Sequence, residues 1–110
     1  MGLIAAAIRT QYLLAYRHDL EYKIMLIVQA KTGLQSSTSD LLHAGTDLDP
    51  NNPIIKQLEQ RKERLNLLEK KLDMEMASYQ AQLKEVEVEL ESSRAMFESN
   101  IKSSFSYGSK

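Results

Sequence analysis

The sequence predicts an all-α fold, a helical hairpin of two long antiparallel helices with coiled-coil-like packing, over residues 1–110 as one unit. Three observations predict it. Apolar residues recur every three or four positions through both halves of the chain. Glycine and proline are scarce, at four and two residues, and both prolines fall in one short segment. The stretch from Pro53 to Phe105 carries apolar stripes on two opposite sides of one unbroken helix. A helix that packs on one neighbour needs one apolar face, and two faces ask for two neighbours. In so short a chain the second neighbour is another copy or another protein.

The first helix is expected over about residues 3–44. Its apolar face holds Leu13, Tyr16, Leu20, Ile24, Ile27, Leu34 and Leu41, widened by Ile8, Leu14, Met25 and Val28. Gly33 and the run Ser36, Ser37, Thr38, Ser39 weaken it locally. The expectation there is a frayed middle or a break near residues 33–39. Gly45 is placed as a left-handed stop.

Residues 45–52 form the turn. Pro50 disfavours helix at Asp49. Asn52 followed by Pro53 has the order of an N-cap and a first helical residue, where proline's missing N–H costs nothing.

The second helix is expected over about 53–104, with a Ser-rich tail at 105–110. Leu65, Leu68, Leu72, Met76, Tyr79, Leu83, Val86, Leu90 and Phe97 form the stripe that packs within the chain. With Arg94 bridging the gap after Leu90, the mean step from Leu65 to Phe105 is about 3.64, close to a straight helix. Leu67, Met74, Ala81, Val88 and Ala95, spaced by seven, lie on the opposite side. Leu67, Met74 and Val88, with Phe105 and Tyr107 near the end, are the residues expected to mediate assembly. Glu85 to Glu91 alternates charged and apolar residues, as a strand would. Its flanks are strongly helical and the chain offers no partner strands, so it reads as helix.

Charge bounds the partners. The formal net charge is −1, and residues 51–110 carry ten bases and ten acids. No polyanionic partner such as nucleic acid is implied. The second helix is nevertheless polarised. Lys56, Arg61, Lys62, Arg64, Lys70 and Lys71 face three acids in its first part. Seven acids, four of them at Glu85, Glu87, Glu89 and Glu91, face Lys84 and Arg94 beyond it. A stagger of about 40 Å between copies would set the acidic half of one beside the basic half of the next. The alternative is that both runs are solvated faces.

No catalytic constellation, metal pattern or cofactor motif is legible, and the expectation is a chain that is not an enzyme. His18 and His43 lie far apart, without paired ligands at i, i+4. Asp47, Asp49 and Asn51 have part of a calcium loop's spacing without its glycine or terminal glutamate. The chain has no cysteine, hence no disulfide framework. Its most apolar run, Ile24 to Val28, is far shorter than the roughly 20 residues of a membrane span. Leu3 to Ile8 lacks the basic flank of a cleaved signal peptide.

Pro50-Asn51-Asn52-Pro53 resembles the Pro-x-x-Pro turn of type III secretion needle subunits. The likeness extends over Ile54 to Leu68 and, loosely, the ending Asn100 to Phe105. Those subunits are small cysteine-free helical hairpins, exported without a cleaved signal and stacked into a hollow tube. The helices here are longer, the first is more apolar, and the tail runs past Phe105. The resemblance implies a self-assembling filament subunit of a secretion or flagellar-type apparatus, with itself as partner and an export chaperone as a second. It implies an extracellular place reached without a signal peptide. A coiled-coil adaptor or chaperone that binds another protein's helix, in the cytoplasm, is the first rival reading. A membrane-surface protein anchored by Leu3 to Ile8 is the second.

Overall fold

The computed structural model describes the backbone of residues 2–108 and the side chains of residues 2–103. The fold is all-α and has two long helices, α1 (Gly2–Thr46) and α2 (Pro53–Gly108). The chain divides into two compact units. One joins residues 1–23 to 79–110, and the other is 24–78.

The 24–78 unit contains the turn. The Asn52 N–H donates to the Asp49 carbonyl at 2.9 Å, closing a four-residue turn with Pro50 at its second position. No residue there has positive φ, so the turn is of type I, which favours Asp first and Pro second. The Asp49 carboxylate also accepts from the Asn51 N–H at 3.2 Å. Asn52 Oδ1 accepts from the Ile54 N–H at 3.0 Å and caps α2, with Pro53 at its first position. Gly45 departs from its expected role. It lies inside α1 without positive φ, and the helix runs on to Thr46, whose hydroxyl donates to the His43 carbonyl. The type I turn makes the reversal a few residues later, so no left-handed residue is needed.

The weakened middle of α1 is also continuous helix. Thr38 donates its hydroxyl to the Leu34 carbonyl and Thr32 to that of Val28, i−4 bonds that share the ladder's acceptors and weaken the helix slightly without breaking it. Leu34, Thr38 and Leu41 are partly buried along one side of α1. Packing of that side outweighs the poor helix propensity of the Ser run. The alternating segment 85–91 is helix throughout.

In the unit of 1–23 and 79–110 the two helix segments run antiparallel. Arg9 pairs with Glu89 at 2.7 Å, and the Tyr16 hydroxyl donates to Gln82 Oε1 at 2.9 Å. Leu13, Leu20, Val86 and Leu90 form the buried core, flanked by Leu14, Tyr16, Tyr79 and Leu83. Leucine and valine at these positions are residue types that pack a helix–helix seam.

Candidate interaction surface

Seam residues on α2 step regularly by fours and threes. In the 24–78 unit they are Leu65, Glu69, Leu72 and Met76. In the other unit they are Tyr79, Leu83, Val86, Leu90, Ser93, Phe97 and Asn100, all buried or partly buried. That alternation is the 3.5-residue rhythm of a left-handed coiled coil, rather than the longer step counted from apolar residues alone. Glu69 and Ser93 take the places that the apolar count gave to Leu68 and Arg94. Leu68 is 49% exposed. Sequence reasoning missed these polar seam positions because it followed apolar residues only.

On α1 the seam alternates apolar and polar residues. Ala6, Leu13 and Leu20 are buried, and Thr10 and Arg17 lie between them, partly buried. Each polar residue is handled differently. The Thr10 hydroxyl donates to the Ala6 carbonyl at 2.8 Å and lies 2.7 Å from Ser93 Oγ, so Ser93 is the donor to Thr10. Arg17 Nε is 3.5 Å from Glu21 Oε1 without a hydrogen bond. In the 24–78 unit Ile27 is buried, and partly buried Lys31 pairs with Asp73. The Asp73 hydrogen bond holds the Lys31 pKa above its ordinary value, as Asp19 does for Lys23.

The opposite side of α2 faces solvent. Leu67 is 66% exposed, Met74 74% and Val88 62%, and Ala81 and Ala95 are exposed between and beyond them. Phe105 and Tyr107, placed with them by the sequence, have side chains outside the described residues. Basic Arg64, Lys70 and Lys71 and acidic Glu91 and Glu98 border this line and are exposed.

Helix α1 has an outer apolar row of its own. Ile4, Ile8 and Tyr12 follow one another at four-residue steps and are each at least 60% exposed. Ile8, Met25 and Val28, expected to widen the packed face, are exposed instead. They fall outside the seam's three-and-four rhythm, which a broad apolar count cannot separate. No helix among the described residues is long and apolar enough to cross a membrane. Among the described residues no three His, Asp or Glu side chains gather where they could hold a metal ion. What these faces offer chemically is apolar area bordered by charge, the makings of a contact surface.

Comparison with family models, with curated proteins and with solved structures returns no match.

Proposed function

We propose that this chain is a non-enzymatic structural subunit that assembles with copies of itself into a filament or tube. The observation that carries the reading is the exposed apolar line Leu67, Met74, Val88 on the side of α2 away from its packing seam. Burying three large apolar side chains per copy is worth about 1.5–3 kcal/mol each at full burial. The outer row of α1 supplies a second contact face. A subunit with one such face closes into a dimer, whereas two faces allow a chain of contacts to continue. The resemblance of Pro50 to Pro53 to the turn of needle subunits supports the same reading. So does the polarised charge of α2, which rewards pairing of unlike halves.

The exposure of Ile4 and Ile8 favours a second reading, in which the start of α1 lies in a membrane surface. Negative-stain microscopy of the purified chain at rising concentration, with liposome co-sedimentation alongside, separates the two. Filaments that lengthen with concentration are expected. Discrete particles that never lengthen would rule out the polymer, and co-sedimentation lost on Ile4→Gln/Ile8→Gln would establish the membrane reading.

A further inference from the structure

One face of the 24–78 unit holds an open groove of about 630 Å³ between α1 and α2. Its floor is Leu41 of α1 with Leu58 and Leu65 of α2, all three only partly buried. Its walls carry opposite charge. Asp40 stands on the α1 wall, and Arg61 and Arg64 stand on the α2 wall. These three side chains are exposed, and among the described residues none of them makes an ion pair within the chain. Resting on the self-association proposed above, we propose that two copies pack hairpin on hairpin through this groove, about a twofold axis parallel to the helices.

Such an axis lays α1 of each copy along α2 of the other, antiparallel, as neighbours in a four-helix bundle. The order of residues around each helix then decides the fit. At about 100° per residue, the α1 wall runs outward from the seam as Leu41, Ser37, Ala44, Asp40, and the α2 wall as Leu58, Leu65, Arg61, Arg64. Asp40 and Arg64 are thus the outermost of each wall. The axis brings Asp40 of one copy to the same flank of the contact as Arg64 of the other, with Arg61 beside them, and symmetry repeats the arrangement. A twofold axis running across the helices at the groove would instead lay α1 on α1 and α2 on α2. Asp40 would then flank Asp40, and Arg64 would flank Arg64. Like charges reject that alternative.

Shape agrees with charge. The α1 wall continues from Ser37 to Gly33, one turn back, and the α2 wall from Arg64 to Leu68, one turn on. Leu41 and Leu58 share the groove and Lys31 pairs with Asp73, so Gly33 and Leu68 lie near one level of the hairpin. Leu68 is 49% exposed, and a Cβ on Gly33 would meet nothing within 4 Å. The twofold sets Leu68 of one copy over Gly33 of the other, a large residue facing the smallest, as packed layers interdigitate. Exposed ion pairs are individually weak, and the α1 wall from Gly33 to Ala44 is only about 17 Å long. The contact therefore forms between copies that association has already brought to high local concentration.

The chain has no native cysteine, so cross-linking reads the contact directly. Full-length Gly33→Cys and Leu68→Cys chains are mixed under mild oxidation, at concentrations where the native chain associates. Each carries one cysteine, so a bond between positions 33 and 68 must join two copies. The mixture is expected to cross-link at least about tenfold faster than either variant alone, because like positions lie diagonally across the bundle, beyond disulfide reach. Adding Arg61→Asp/Arg64→Asp to the Leu68→Cys chain should slow the reaction about fivefold. Adding Asp40→Arg to the Gly33→Cys chain should then restore most of the rate, a rescue between copies. Both cysteine positions are exposed, and circular dichroism checks that every variant keeps its helix. Gly33→Cys cross-linking to itself as fast as the mixture would overturn the twofold while leaving self-association standing. So would charge reversal without rescue, or an associated chain in which positions 33 and 68 never join. A native chain that sediments as a monomer at every concentration would overturn both.

Discussion

Gly33 and Gly45 sit in helical conformation, and at neither would a Cβ meet any atom within 4 Å. Glycine in a helix loses more backbone entropy on folding than alanine does, so each is a local weakness of α1. Gly33→Ala and Gly45→Ala should each stabilise the chain by about 0.5–1 kcal/mol. The midpoint of urea unfolding reads this directly. A loss of stability in Gly45→Ala would mean that the residue is a left-handed stop after all. Sequence reasoning read Asn52 and Pro53 well because capping is local chemistry between neighbours. It misread Gly45 because glycine permits positive φ without requiring it, and the reversal falls at other residues. Here Asp49 to Asn52 makes the reversal.

At the scale of the element, both helices were legible in type and approximate extent. Their seams were not, because polar residues at seam positions broke the apolar count. Thr10 and Ser93 are the clearest case, since Ser93 is buried and its hydroxyl donates to Thr10. A buried hydroxyl stripped of its partner costs about 1–3 kcal/mol, whereas replacing both partners by apolar groups is nearly neutral. Thr10→Val alone should therefore destabilise the chain, and adding Ser93→Ala should recover most of the loss. A double-mutant cycle on unfolding free energies measures the coupling. Strictly additive effects would mean the hydroxyl pair contributes nothing. Polar seam residues of this kind fix register in coiled coils.

At the scale of the whole molecule, the all-α two-helix fold followed from one Pro-rich turn between two periodic segments. The occupant of the outer faces did not follow in the same way. Periodicity shows that a face is apolar, but an exposed apolar face does not by itself name what covers it. Leu67, Met74 and Val88 are separated from the seam by about half a helical turn, so fold and assembly should respond to different substitutions. Leu13→Ala or Leu20→Ala should cost about 2–5 kcal/mol of folding stability. Changes on the outer line should leave folding nearly untouched. The most direct test is sedimentation velocity of the native chain and of Leu67→Gln/Met74→Gln/Val88→Gln from micromolar to millimolar concentration. Helix content is checked in both. The native chain should shift to larger species as concentration rises, and the variant should stay monomeric with the same helicity. A native chain that remains monomeric, or a variant that associates as strongly, would contradict assembly through this face.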